Sequence, residues 1–177
     1  SLSVQPLLAQ KLVQVHCFLR RACAFDRLKL DWASIEGLEE ALGRNGVTSN
    51  YRYDLAPYTW ELVQKMRGEK AIFTQPPMPI KCAGAPQKAM YLSCSTWMQV
   101  GKIKDIDVSF CNAGPVLFGC ADYVPPLMEY VDRYGINLDF GYNLVKVDGP
   151  NQIATFKVAK EGEDPRLVER KFDMLHV

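Results

Sequence analysis

The sequence predicts an α/β fold: a Rossmann-like parallel sheet with helices on both faces and a small antiparallel β insertion. Three observations predict it. Strand-like and helix-like runs alternate from residue 70 to residue 140, prolines and glycines mark the helix ends, and from residue 142 onward the pattern changes to short alternating β-rich stretches. Strand, helix, strand, helix, strand in quick succession calls for parallel strands joined by right-handed crossovers, as in half of a doubly wound nucleotide-binding fold.

The elements follow in order. From Leu7 onward, Leu8, Leu12, Val15 and Leu19 fall at helical spacing, so residues 1–25 are compatible with an amphipathic helix. LKLDWASIEGLEEAL and the polar GRNGVTSNYRYD read as a connector, with Gly43, Asn45 and Gly46 marking a turn. Thr59 is placed to cap a short helix, TWELVQKMRG, that stops at Gly68. KAIFTQ, Lys70 to Gln75, reads as a strand, and the prolines of PPMP end it by removing backbone donors. A second helix runs from about Pro86, which suits a first turn, to Gly101. DIDVSFC is the next strand, YVPPLMEYVDRYG a helix between its prolines and its glycine, and INLDF a third strand. NLVKVDG, QIATFKVAK and LVERKFDMLHV then alternate, joined by GPN and EGEDPR turns, so an antiparallel insertion is expected before a final returning strand. The division that results is 1–27 unassigned, 28–68 a connector with a short helix, and 69–177 a nucleotide-domain-like unit.

Composition removes several function classes. Lysine plus arginine (21) balances aspartate plus glutamate (20), so the basic footprint of a nucleic-acid binder is missing. No apolar run reaches the roughly 18 residues that a membrane-spanning helix needs, and the chain reads as soluble and without a secretory signal. Six cysteines stand at 17, 23, 82, 94, 111 and 120, yet the core-rich composition does not resemble a secreted disulfide framework, and most thiols are expected free. No CxxC is present and His16 lies far from His176, so no metal site is expected.

The crossover loop carries the chemistry. A dinucleotide-binding half opens its first strand into a glycine-rich turn, where backbone amides approach the pyrophosphate. Here KAIFTQ is followed by PPMPIKCAGAPQK, and no acidic residue ends the second strand to hold a ribose, so a nicotinamide cofactor is disfavoured. The loop offers Cys82 instead, four residues before Pro86 and between Lys81 and Lys88, where a helix amino end and positive charge favour thiolate. The alternative reading of Cys82 is a small inert hydrophobe. Cys94, Cys111 and Cys120 read as buried or incidental thiols, and GPVLFG around Phe118 as a strand-to-helix turn or an apolar loop against a cofactor.

KAIFTQPPMPIKCAGAPQKAMYLS resembles the central region of the sulfide:quinone oxidoreductases, flavoproteins of the disulfide reductase type. The resemblance continues through LKLDWASIEGL, NGVTSNYRYDLAPYTWELV, KDIDVSFCNAGPVLFG, YVPPLMEYVDRYGI and FDMLHV, covering about residues 28–177. It implies a parent that oxidises sulfide to sulfane sulfur as a cysteine persulfide and passes two electrons through FAD to a quinone. Cys82 matches one of the parent's two redox cysteines. The parent is peripherally associated with a membrane, and this chain alone is expected to be inactive. No GxGxxG motif occurs in the 177 residues, the partner cysteine's segment is not among them, and residues 1–25 do not share the resemblance. Without a flavin domain, exposed apolar surface is expected to favour self-association, with a homo-oligomer as one form. The competing reading is a flavin-free thiol or persulfide carrier, or an interaction module, using the same loop.

Overall fold

The structure, a computed structural model, describes residues 30–80, 82–159, 162 and 164–177. The amphipathic helix expected from Leu7, together with His16, Cys17, Cys23 and Lys81, lies outside them.

Five strands form one parallel sheet. In chain order they are β1 (Val47–Thr48), β2 (Lys70–Gln75), β3 (Asp107–Asn112), β4 (Asn137–Phe140) and, last in the chain, β8 (Met174–His176). Across the sheet the order is β1, β8, β2, β3, β4. Ala71, Ile72, Phe73 and Thr74 are all buried, so β2 shows the unbroken burial of a parallel strand covered on both faces. Phe73 pairs with Phe110 on one side and His176 on the other. A second, antiparallel sheet has the order β5 (Tyr142–Asp148), β6 (Ile153–Val158), β7 (Arg166–Lys171). This is the predicted insertion, and β8 is the predicted returning strand.

Three helices cover one face of the parallel sheet. Helices α2 (Ala56–Lys65), α3 (Gly84–Gln99) and α4 (Val124–Tyr134) send Val63, Met90, Cys94, Trp97 and Val131 into a core with Phe73, Val108, Phe110 and Met174. The other face carries the antiparallel sheet and the single-turn helix α1 (Leu38–Ala41), which bury Leu38, Leu144 and Phe156 with Ile72, Cys111 and Leu175. Helices thus lie on both faces, three on one and a short turn on the other.

Two local expectations are corrected. Thr59 does not cap a helix: α2 begins three residues earlier, with Pro57 in its first turn. The buried Thr59 hydroxyl instead lies 3.2 Å from the Leu55 carbonyl and 2.7 Å from the Thr48 hydroxyl. A threonine inside a helix can satisfy its hydroxyl on the carbonyl four residues back, which removes the need for a terminal role. The polar stretch read as a connector also contributes β1, which pairs parallel with β8 through Val47↔Leu175 and Thr48↔His176. Its Thr48, Ser49 and Asn50 are buried. A two-residue strand has too little periodicity to register in a sequence, and its place is set by the partner strand more than a hundred residues later.

Candidate functional site around Cys82

In an open parallel sheet, loops leaving the carboxyl ends of the strands surround the usual ligand crevice. Here those ends belong to β1, β8 and β2. Residues 76–80 leave β2 as a proline-stiffened loop, with a cis peptide between Met78 and Pro79. The loop delivers Cys82 two residues ahead of α3, whose first turn holds Pro86 as expected.

Cys82 is half-buried, and its backbone is doubly held. Its carbonyl accepts the Ala85 amide at 3.1 Å and the Tyr51 hydroxyl at 2.9 Å. Burial raises the Tyr51 phenol above its ordinary range, and the nearby Cys82 adds to that rise. One residue earlier, the Asn50 amide donates to Nε2 of His176 at 3.1 Å. His176 is 1% exposed, and burial pushes its imidazole down to about 4. Its ring lies 5.8 Å from that of Phe73, its carbonyl accepts the Thr74 hydroxyl at 3.2 Å, and its Nδ1 has no hydrogen-bond partner. Beside this network a cleft of about 270 Å³ is lined by Trp32, Ile35, Tyr51, Pro76, Pro79 and Val177.

The other described thiols sit in different surroundings. Cys94 and Cys111 are buried, and burial pushes each up to about 12. At Cys111 the Arg170 guanidinium, 3.8 Å from Sγ, works against that rise, while Asp139 adds to it. Arg170 itself is paired with Asp139 at 2.6 Å and lies over the Tyr142 ring. Cys120 is exposed. Among the described residues no group of three metal-ligating side chains comes together. Lys88, expected to add charge beside Cys82, is exposed and lines a groove between α3 and α4. Phe118 lines the same groove from the β3–α4 loop, 6.1 Å from the Tyr123 ring.

The loop does not fit a dinucleotide. Pro76, Pro77 and Pro79 stand where glycine amides would meet a pyrophosphate. At the end of β3, Asn112 spends its side chain on its own loop, donating to the Val116 carbonyl and accepting the Gly114 amide.

Comparison with known proteins places the chain. No family model matches it. Over 152 residues it is 37% identical to the mitochondrial sulfide:quinone oxidoreductase of Dictyostelium discoideum, covering 85% of this chain and 32% of that protein. The mouse mitochondrial enzyme is 32% identical over 150 residues, covering 85% and 33%, and that of Schizosaccharomyces pombe 38% over 152 residues, covering 82% and 32%. Over most of its length the chain is homologous with the sulfide:quinone oxidoreductases. It spans about a third of the length of the curated sulfide:quinone oxidoreductases it matches. Among solved structures, the sulfide:quinone oxidoreductase of Aquifex aeolicus superposes with a TM-score of 0.58 at 15% identity, covering 81% of this chain and 32% of that one. A chain of the Tetrahymena thermophila mitochondrial ATP synthase structure gives 0.64 at 20%, covering 84% and 37%. Thioredoxin reductase of T. acidophilum gives 0.51 at 12%, covering 81% and 39%. At such identities these three share the fold, the Rossmann-like architecture predicted from the alternating elements.

Tyr51, Asn50 and His176 were not legible as a site. Tyr51 and Asn50 sit in a polar stretch without periodicity, and His176 invited only a metal reading. Their meeting depends on β1 and β8 pairing across the chain.

Proposed function

We propose that this chain is the thiol-bearing portion of a sulfide:quinone oxidoreductase, with Cys82 as a catalytic cysteine that carries sulfide sulfur as a persulfide. The observation that carries the reading is the placing of Cys82. It is the half-buried cysteine at the carboxyl edge of the sheet, in a segment homologous with the family, whereas burial keeps Cys94 and Cys111 protonated at neutral pH. In the intact protein Cys82 forms a disulfide with a second cysteine from the remaining length. Hydrosulfide attacks Sγ of Cys82, the Cys82 to partner S–S bond breaks, and the partner leaves as thiolate. The new S–S bond leaves a persulfide on Cys82, and sulfide sulfur has been oxidised at the expense of the disulfide. A nucleophilic sulfur acceptor, such as a small-molecule thiolate, then takes the outer sulfur and leaves Cys82 as thiolate. FAD, when bound in the intact parent, would supply the two-electron acceptor that restores the disulfide from the two thiolates, and a quinone would receive the electrons in turn. The flavin is held by residues outside this chain's proline-filled crossover. Peripheral attachment to a membrane belongs to the same reading; among the described residues no helix is long and apolar enough to cross one.

The missing dinucleotide cradle favours one competing reading, a persulfide carrier that receives and donates sulfur without flavin. Sulfide-dependent reduction of a soluble quinone analogue by the gene product carrying this segment separates the two. Cys82→Ser should abolish it, while Cys94→Ser and Cys111→Ser should retain most of it. Activity surviving in Cys82→Ser would sink the oxidoreductase role of this cysteine. Sulfur uptake at Cys82 without quinone reduction would favour the carrier.

A further inference from the structure

The imidazole of His176 is wholly enclosed, and only one of its two nitrogens is used. With Nε2 accepting the Asn50 amide, the proton of the neutral ring stands on Nδ1, which meets no acceptor. A buried N–H without a partner destabilises the fold. A phenylalanine or leucine would fill this space against Phe73 without that cost. What the imidazole provides, and an apolar side chain would not, is an acceptor for the Asn50 amide.

That amide leads to Cys82. Tyr51 follows Asn50, and its backbone is turned by its own amide donating to Ser49 Oγ at 3.2 Å. Its hydroxyl then crosses to the Cys82 carbonyl. The same carbonyl accepts Ala85 N–H at the head of α3. Both acceptor directions of the Cys82 carbonyl are therefore engaged, one by the helix that follows it and one by a segment 31 residues earlier.

We propose that His176 and Tyr51 are positioning residues for Cys82: His176 fixes the Asn50 amide, and Tyr51 clamps the Cys82 carbonyl so that its thiol is held at the amino end of α3. Neither touches the reacting sulfur in this role. The proposal rests on the reading of Cys82 as the sulfur-carrying thiol, and it adds two residues that act through the backbone. A thiol whose backbone is fixed at both acceptor directions of its carbonyl meets an incoming reagent in one geometry, and a residue free to rotate away loses that presentation.

The test is the rate at which Cys82 is carbamidomethylated by iodoacetamide at neutral pH in the full chain, followed on its own peptide by mass spectrometry. The exposed Cys120 serves as internal reference. Tyr51→Phe, which removes one hydroxyl, is expected to slow Cys82 by about threefold, the scale of one lost hydrogen bond, with Cys120 unmoved. His176→Ala should slow it similarly, and His176→Gln, which keeps an acceptor at comparable reach, should restore most of the rate. The double variant Tyr51→Phe with His176→Ala should be no slower than the slower single variant, because both break one chain of contacts. Full additivity would overturn the route from His176 through Tyr51, and a Tyr51→Phe rate equal to or above that of the parent chain would overturn the clamp. If His176→Ala fails to fold, Tyr51→Phe and His176→Gln still decide. Sulfur uptake from inorganic polysulfide, read in the same samples, separates this from the proposed function. No sulfur on Cys82 with Tyr51→Phe still slow leaves the clamp and removes the persulfide role. Sulfur uptake with an unchanged Tyr51→Phe rate does the reverse, and failure of both removes both.

Discussion

Protonating His176 would place a charge in a space 1% exposed, against the ring of Phe73. Burial therefore holds the folded imidazole down to about 4, against 6.5 for the free side chain. Between those two values the unfolded chain binds more protons than the folded one, so stability rises with pH across that window. The contribution is fully present above pH 6.5 and is lost as pH falls toward 4. It amounts to on the order of 3 kcal/mol. Urea denaturation at several pH values across the window should show this slope in the parent chain and a markedly flatter one in His176→Phe. A slope of equal steepness in His176→Phe would assign the pH dependence to other groups. At this scale the sequence was legible for the setting of Cys82, a proline-rich loop just ahead of a helix, because prolines and a helix start are local. It was silent on His176 and Tyr51, whose roles come from hydrogen bonds spanning 126 and 31 residues.

Among the elements, the passage from the parallel to the antiparallel sheet depends on Gly141 between β4 and β5. Its φ is +74°, and a Cβ there would stand 2.3 Å from the Ala159 carbonyl oxygen. The same backbone is pinned on both sides, its amide donating to Gly114 and its carbonyl accepting the Ala159 amide. Gly141→Ala therefore combines a left-handed conformation with a backbone clash, and should cost more than about 1 kcal/mol. Thermal unfolding should fall by at least about 3 °C; an unchanged midpoint would show that the turn relaxes without strain. Strand and helix existence was legible wherever a run had clear local ends, as in Lys70–Gln75, which prolines stop and whose bounds match the reading. It failed where burial came from elsewhere. Thr59 carries a capping residue's chemistry but sits inside α2, because the start is set by Pro57 and the hydroxyl has a buried partner in Thr48.

Across the molecule, one sheet divides two cores, and β2 serves both. Phe73 and Ala71 face the helices, while Ile72 faces the antiparallel sheet. The alternation that decides which side chain enters which core is the strand's period of two, whereas β2 was readable from its short apolar run and the prolines that end it. Which layer covers each face was less readable, since the antiparallel sheet takes the place that crossover helices often fill. Two cores sharing a fully buried strand cannot lose one face without exposing the other, so unfolding should be a single event. With Trp32, which packs against the antiparallel side, replaced by phenylalanine, the fluorescence of Trp97 and Trp60 reports on the helical side: the Trp97 ring is 1% exposed, its indole N–H donates to the Val63 carbonyl at 2.9 Å, and it lies 6.5 Å from Phe73. Far-ultraviolet dichroism follows all elements together, including the antiparallel sheet on the opposite face. In urea the two signals should change with one midpoint. Phe73→Ala, which empties a fully buried aromatic site, should lower the stability read by both by about 3–5 kcal/mol. If fluorescence shifts alone while the dichroism of the antiparallel sheet persists, the two faces fold independently and Cys82 is positioned by the helical layer without the other. If both shift together, the loop carrying Cys82 inherits the stability of the whole sheet.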